Sequence, residues 1–245
     1  MTRVVAATKT RPSPRFYALL LVIFVGGAGL LAFLASRAKI AAAPQKVDPA
    51  MLANTKAEGY LLGDIGAPVQ IAEFGDFECP QCALFAAVTE PDVRKRLVDS
   101  GFVAIRYYDY PLIQIHRNTM AASHAAACAN AQGKFWEMHD RLFNGQLEWN
   151  GQATDHPARV LKGYAKELGL DVAKWEGCYD SQQFVLQIEA SRAEGDRRRV
   201  NGTPTFYIND RMMVGNMTYD ALRKEVDAIL AARKKGNAAT KGKPS

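Results

Sequence analysis

The feature that most constrains this chain is a pair of cysteines at the junction between a strand and a helix. Cys79 and Cys82 follow a predicted strand and sharp turn in the run that begins at Ile71, and Pro80 stands where a helix commonly begins. A thiolate at a helix N-terminus faces unpaired N–H groups, so its pKa falls. Because the second cysteine lies one turn further along, the two can close a disulfide. The pattern predicts dithiol–disulfide exchange.

The same spacing has two other interpretations, a zinc site and a buried structural pair. Zinc requires two further ligands. The remaining cysteines, Cys128 and Cys178, are isolated from one another in sequence, and the four histidines show no paired ligand spacing. We therefore favour redox chemistry and predict no metal.

The basic residues are concentrated at the two ends of the chain. Segments 1–46 and 233–245 hold 12 of the 31 Lys and Arg residues and no acid. The remaining 19 basic residues lie in 47–232 together with all 25 acidic residues, so that part is mildly acidic. This distribution argues against a nucleic-acid partner.

Residues 16–36 form an uncharged run of 21 residues, and about 20 apolar residues span a bilayer as a helix. Four basic residues precede the run: Arg3, Lys9, Arg11 and Arg15. The positive-inside rule then predicts a cytoplasmic N-terminus at 1–15, a single-pass anchor in the cytoplasmic membrane, and a catalytic domain on the extracytoplasmic (periplasmic) side. The alternative is a secreted protein cleaved near the small residues 41–43.

The order of predicted elements after the anchor indicates an α/β fold with a helical insertion. We expect a linker over 37–58 and a domain over 59–232. Strand, helix and strand occupy about 69–109, which predicts a parallel pair with a crossover helix. Ala-rich helical segments fill 117–199, and two short strands and an amphipathic helix follow. The basic tail at 233–245 is expected to be disordered.

Glu73 shares a strand face with Val69 and Ile71, which predicts that its carboxyl group is buried. Burial raises the pKa of a carboxyl group and suits a residue that exchanges protons with a buried thiol. The alternative is that the strand ends early and Glu73 is solvated. Asp76 and Glu78 are expected to be surface acids.

Two residues outside this run complete the set of candidates. His116 precedes the first insertion helix and is interpreted as a capping or surface residue. Cys128 and Cys178 are expected to form a structural disulfide, because leftover cysteines in an oxidising compartment commonly pair. The alternative is a pair of buried free thiols.

The chain resembles the DsbA-like thiol-disulfide oxidoreductases. The resemblance rests on Glu-Phe-Gly-Asp-Phe-Glu-Cys-Pro-Gln-Cys at 73–82, Gly-Lys-Phe-Trp-Glu-Met-His at 133–139 and Val-Asn-Gly-Thr-Pro-Thr-Phe at 200–206. It implies a thioredoxin-like fold with an inserted α-helical domain, here preceded by one transmembrane helix. It also implies a cis peptide at Thr203–Pro204 beside the cysteines.

The resemblance implies that the protein oxidises cysteine pairs in exported proteins without a cofactor. Cys79 would be the exposed nucleophile, Cys82 the buried partner and Glu73 the catalytic acid, with substrate held at Thr203 and Pro204. A membrane partner linked to quinone would reoxidise the enzyme. The alternatives are a reductase or isomerase of the same fold, or a non-catalytic binding or chaperone module with a static disulfide or a copper site.

The dipeptide between the cysteines, Pro80 and Gln81, bears on the direction of electron flow. DsbA has histidine where this chain has Gln81, and glutamine places no positive charge beside the thiolate. We therefore expect a higher Cys79 pKa and a weaker oxidant than DsbA.

Overall fold

The computed structural model describes residues 14, 17, 19–29 and 47–241. The chain divides into two compact units, Met1–Pro44 and Gln45–Ser245. In the first unit the described residues are helical, and they cover only part of the predicted anchor at 16–36, the rest of which lies outside the described residues. None of the helices that the structure describes combines the length and the apolar content needed to cross a bilayer.

A mixed sheet of five strands forms the centre of the second unit within the described residues. The strands are β1 Tyr60–Leu62, β2 Val69–Gly75, β3 Val103–Asp109, β4 Thr205–Ile208 and β5 Arg211–Val214. Their order is β1-β3-β2-β4-β5, with β2 and β3 parallel and every other neighbouring pair antiparallel. The parallel pair with its crossover is confirmed. The edge strand β1 was not predicted, because three residues are too few to show an alternation.

Helices occupy much of the remaining described chain. They are α1 Pro49–Asn54, α2 Pro80–Leu84, α3 Glu90–Val93, α4 Thr119–Asn130, α5 Phe135–Asn144, α6 Gln146–Trp149, α7 Ala158–Glu167, α8 Val172–Asp180, α9 Val185–Arg197 and α10 Tyr219–Lys241. A π-helical turn, Phe85–Thr89, joins α2 to α3, and a second, Arg94–Val98, follows α3, so that 80–98 form one helical run. Pro91 lies in the first turn of α3, where its missing N–H is tolerated.

Apolar side chains pack against both faces of the sheet. Val69 and Ile71 of β2 pack with Leu222 and Val226 of α10 in one cluster. On the same face, another cluster joins Tyr107 of β3 to the insertion helices α4–α8 and to the turn that carries the cysteines. The opposite face carries Phe74 of β2 and Tyr108 of β3 in a separate cluster. The redox turn therefore lies where the sheet meets the insertion.

A disulfide and a hydrogen bond join two helices of the insertion. Cys128 of α4 is bonded to Cys178 of α8, which lies 50 residues further along the chain. Beside them, the Trp175 indole N–H donates to the Ala125 carbonyl oxygen at 3.1 Å. The insertion is thus fastened both covalently and by packing around a buried tryptophan.

The structure differs from the sequence prediction at both flanks of the domain. Within the predicted linker, Asp48 caps α1 by accepting from the Ala50 N–H at 2.8 Å, and Pro49 supplies a favoured first position. At the other end, α10 continues to Lys241, although disorder was predicted from 233. The Ala and Lys residues of this tail have high helix propensity, which explains the continuation. Residues 242–245 lie outside the described residues.

Candidate active site

Cys79 is the capping residue at the start of α2. Its extended backbone ends the turn after β2, and its N–H donates to the Asp76 carbonyl oxygen at 3.0 Å. Pro80 follows in the first turn of the helix, where no N–H is needed, and Cys82 lies within that turn. The first N–H groups of α2 therefore point towards the Cys79 sulfur.

Both thiols are buried, so the expectation that Cys79 is exposed was wrong, but their pKa values shift in opposite directions. Cys79 is 6% exposed, and its pKa is lowered to about 5, chiefly by a hydrogen bond from the Cys82 thiol and further by the N–H groups of Cys82 and Gln81. Cys82 is fully buried, and burial, followed by its hydrogen bond to Cys79, raises its pKa well above the usual value. Both are free thiols in this structure. The dipeptide between them, Pro80 and Gln81, is exposed.

The loop before β4 lies against Cys79. The Thr203–Pro204 peptide bond is cis, and the Thr203 carbonyl oxygen is 3.3 Å from Cys79 Sγ. Pro204 is buried, and β4, which follows it, pairs with β2. The central sheet pairing thus brings 203–204 beside the cysteines although they are more than 120 residues apart in sequence.

Glu73 lies inside the sheet below the cysteines. It is 1% exposed, pairs in register with Tyr107 on one side and Phe206 on the other, and its Oε2 has no hydrogen-bond partner among the described residues. Burial raises its pKa well above the usual value, with a further contribution from Glu90. Its charge in turn raises the pKa of Cys82.

Asp76 and Glu78 are buried, so the expectation that they are surface acids was wrong. Asp76 is 1% exposed and accepts hydrogen bonds from the Glu78 and Leu112 N–H groups at 2.7 and 2.8 Å and from the Thr119 hydroxyl at 2.6 Å. Glu78 is 8% exposed and accepts from the Asn118 N–H at 2.7 Å. The two carboxylates hold the loop after β3 against the redox turn.

His116 is part of this arrangement, contrary to the sequence interpretation. Its Nδ1 lies 2.8 Å from Asp76 Oδ2, and its side chain is 16% exposed. The hydrogen bond to Asp76 is the largest of the effects that raise the His116 pKa. The sequence could not predict this contact, because Asp76 and His116 are 40 positions apart and no regular secondary structure relates them.

Gln146 is a further residue that sequence reasoning missed. Its side-chain amide, at the start of α6, donates to the Phe77 carbonyl oxygen at 2.8 Å and to the Cys79 carbonyl oxygen at 3.1 Å. The insertion therefore contacts the backbone of the redox turn directly. A glutamine at a helix start carries no sequence signal for such a contact.

One cluster of described residues has the composition of a cation site. Ligand atoms of Glu90, His139 and Asp140 lie within 4.8 Å of one another. The Arg94 guanidinium, however, already bonds to Glu90 at 2.9 Å and to Asp140 at 2.7 Å. A bound metal would have to displace this internal cation, so the cluster is better described as an ion-pair network.

Comparison with known proteins identifies the family of the chain. A thioredoxin family model matches residues 55–228. The chain is 37% identical over 174 residues to Na(+)/H(+) antiporter NhaA 1 of Salinispora arenicola, with 70% of this chain aligned, and it spans only about a quarter (25%) of that relative's length. It is 26% identical to disulfide bond formation protein D of Bacillus subtilis, covering 71% of this chain and 78% of the relative.

A solved structure shows the same fold. The α-DsbA1 of Wolbachia pipientis superimposes with a TM-score of 0.64 at 19% identity, covering 77% of this chain and 96% of the other. The residues that the family model matches, 55–228, contain the sheet, the insertion and both cysteines. The chain therefore belongs to the thioredoxin family, and among its relatives it resembles disulfide bond formation protein D and the DsbA structures.

Proposed function

We propose that this protein oxidises cysteine pairs in exported proteins through Cys79 and Cys82. The observation that carries the proposal is the asymmetry of the two thiols. Cys79 lies at the helix start with its pKa lowered to about 5, while Cys82 is fully buried with its pKa raised. A pair of this kind accepts two electrons readily, because the reduced form is stabilised at one sulfur. The relative named disulfide bond formation protein D supports this assignment.

In the proposed reaction, a substrate thiolate attacks the Cys79 sulfur of the oxidised enzyme and breaks the Cys79–Cys82 bond. Cys82 leaves and is protonated, and a mixed disulfide joins the substrate to Cys79. A second substrate thiolate then attacks the substrate sulfur of that bond and releases Cys79 as the thiolate. The substrate loses two electrons and the enzyme gains them.

We assign supporting roles to three further residues. The Thr203 backbone and Pro204 would hold an extended substrate, and their support is the 3.3 Å contact between the Thr203 carbonyl oxygen and Cys79 Sγ. Protonated Glu73 would supply the proton that Cys82 takes up on leaving. Its support is its burial, which raises the pKa of its carboxyl group and so favours the protonated form.

The oxidising strength should fall between those of two known proteins. The nucleophilic cysteine has a pKa of about 7 in thioredoxin and about 3.5 in DsbA. A value of about 5 for Cys79 therefore fits a weaker oxidant than DsbA, as the exposed Gln81 suggests. A redox titration that gives a potential as oxidising as that of DsbA would contradict this proposal.

We further propose that residues 16–36 anchor the protein, with the catalytic domain outside the cytoplasm and a quinone-linked membrane protein as its oxidant. The support is the uncharged run preceded by basic residues. Alkaline extraction of cells that produce the full chain should leave the protein in the membrane fraction. Recovery of a shortened protein in the soluble fraction would favour cleavage near 41–43.

The experiment that tests the central proposal is a trap with Cys82→Ser. Without the second thiol, the mixed disulfide at Cys79 is not released, so exported proteins should accumulate as covalent adducts that dithiothreitol cleaves. The matched control is Cys79→Ser, which should trap nothing. Equal activity of wild type and Cys79→Ser in oxidising a dithiol peptide would reject the catalytic assignment, whereas activity only in insulin reduction would identify a reductase.

A further inference from the structure

Two buried carboxylates, those of Asp76 and Glu78, belong to the same turn as Cys79. Asp76 lies three residues earlier and its carbonyl oxygen accepts the Cys79 N–H, while Glu78 is the preceding residue. Asp76 accepts hydrogen bonds from two backbone N–H groups and the Thr119 hydroxyl, and Glu78 accepts from the Asn118 and Gly151 N–H groups. Negative charges on two residues of the same turn oppose formation of the Cys79 thiolate. A positive charge nearby would offset this effect.

His116 is placed to supply that charge. Its Nδ1 is 2.8 Å from Asp76 Oδ2, and most of its side chain is removed from solvent. The charges of Asp76, Glu78 and Cys79 all act on the imidazole and favour its protonated form. The adjacent Arg117 is directed elsewhere, since its guanidinium pairs with Asp155 at the surface.

We propose that His116, held by Asp76, is the counter-charge of the Cys79 thiolate and takes up a proton when the Cys79–Cys82 disulfide is reduced. This inference rests on the proposed function and deepens it. In the oxidised enzyme Cys79 carries no charge, so His116 balances only the two carboxylates. In the reduced enzyme a third negative charge appears, and the imidazole binds its proton more tightly.

The step balances in atoms and electrons. A substrate dithiol loses two electrons and two protons and becomes a disulfide. The electrons break the Cys79–Cys82 bond, one proton goes to Cys82, and Cys79 remains a thiolate. At a pH between the pKa of His116 in the oxidised enzyme and its higher pKa in the reduced enzyme, the second proton goes to the imidazole instead of to solvent. The histidine thereby replaces the positive charge that Gln81 does not provide.

The test compares wild type with His116→Gln in the full chain. Glutamine retains a hydrogen-bond donor for Asp76 but carries no charge. Titration of the thiolate by its ultraviolet absorbance should show Cys79 roughly tenfold less acidic in the variant, a change of about one pKa unit. The matched control is His156→Gln, which removes an exposed histidine and should leave the titration unchanged.

A second measurement uses wild type alone and so does not depend on the variant folding. The His116 ring proton resonance is titrated in the oxidised and in the dithiothreitol-reduced protein. A proton affinity at least about threefold higher in the reduced protein supports the proposal. Equal affinities in the two states, or an unchanged Cys79 titration in folded His116→Gln, would overturn it. Neither readout requires substrate turnover, so failure to oxidise a dithiol peptide would reject the proposed function alone.

Discussion

At the scale of single residues, hydrogen bonds distinguish the chemical roles of the two cysteines. Both belong to the first turn of α2, yet only Cys79 receives the N–H groups of the helix start, and Cys82 donates its own proton to that sulfur. Glu73 extends this polar arrangement into the sheet, where its Oε2 has no hydrogen-bond partner among the described residues to compensate the loss of water. The pKa shifts thus favour a negative charge on Cys79 and the protonated forms of Cys82 and Glu73.

Glu73→Gln should stabilise the protein increasingly as the pH rises. The folded-state pKa of Glu73 is raised, so above about pH 4.5 the unfolded chain loses this proton and the folded protein keeps it. Wild type should lose about 1.4 kcal/mol of unfolding free energy per pH unit from this group until it ionises in the folded state. In Glu73→Gln no carboxyl group ionises at this position, so this loss of unfolding free energy does not occur.

Urea unfolding of the reduced proteins at pH 4 and pH 8 measures this difference. Glu58→Gln, which changes an exposed carboxylate, is the control for introducing an amide. A gain for Glu73→Gln at pH 4 as large as that at pH 8 would show that ionisation of Glu73 is not the cause.

Glu73 and Asp76 show what sequence can predict at this scale. The two-residue period of a strand assigns Glu73 to the inner face, so its burial follows from Val69 and Ile71 alone. Asp76 lies after the strand ends, where no period applies. Its burial depends on Leu112, His116 and Thr119, which only the tertiary fold brings to it.

At the scale of elements, α9 is held against the sheet by a close approach at Gly195. A Cβ atom added there would lie 2.5 Å from the Tyr110 ring and 3.1 Å from that of Phe74. Tyr110 is not free to move aside, because its hydroxyl donates to the Val200 carbonyl oxygen at 2.7 Å and bonds to Asp196 at 2.8 Å. The helix therefore depends on glycine at this contact.

Gly195→Ala should lower the unfolding free energy by about 2 kcal/mol, the cost of overpacking a fixed contact. Gly163→Ala is the matched control, since it lies inside α7 with no atom within 4 Å of the added methyl group. It should raise stability by about 0.5–1 kcal/mol through helix propensity. Denaturant unfolding of both variants checks the pair, and equal effects would show that packing at Gly195 is not the determinant.

The disulfide between α4 and α8 should contribute about 4 kcal/mol, because it closes a loop of 50 residues in the unfolded chain. The test uses Cys79→Ser/Cys82→Ser, in which this is the disulfide that remains. Urea unfolding with and without dithiothreitol then compares one sequence in two states. A difference below about 1 kcal/mol would show that the insertion is held by packing around Trp175 alone.

The elements of the insertion were predictable because their helical periods and glycine breaks are visible in sequence. The short strand β1 was not, since its three residues are defined by pairing with β3. The end of α10 was also misjudged. A basic composition indicated disorder, whereas the Ala and Lys content of the same residues favours helix.

At the scale of the whole molecule, redox state and stability are linked. The pKa of Cys79 is lowered to about 5 in the folded reduced protein, against about 9 for a free thiol. The thiolate therefore stabilises the reduced fold fully above pH 9, and this contribution is lost as the pH falls through 5. The oxidised protein has no such group at this position.

The melting temperature of the reduced protein should accordingly rise relative to that of the oxidised protein between pH 5 and pH 8. Thermal unfolding of both forms across this range gives the difference directly. In Cys79→Ala the reduced protein should show a weaker dependence on pH. A constant difference between the oxidised and reduced wild type would show that the thiolate does not stabilise the fold.

The bond from Gln146 to the redox turn has a consequence for how such enzymes diversify. Because the insertion supports the carbonyl groups of Phe77 and Cys79, the turn and α6 cannot be exchanged separately between relatives. A chimera that carries this Cys-Pro-Gln-Cys turn on another member's insertion would lose the support for its backbone. The redox turn and the start of α6 therefore form one structural unit, and we expect them to be exchangeable between relatives only together.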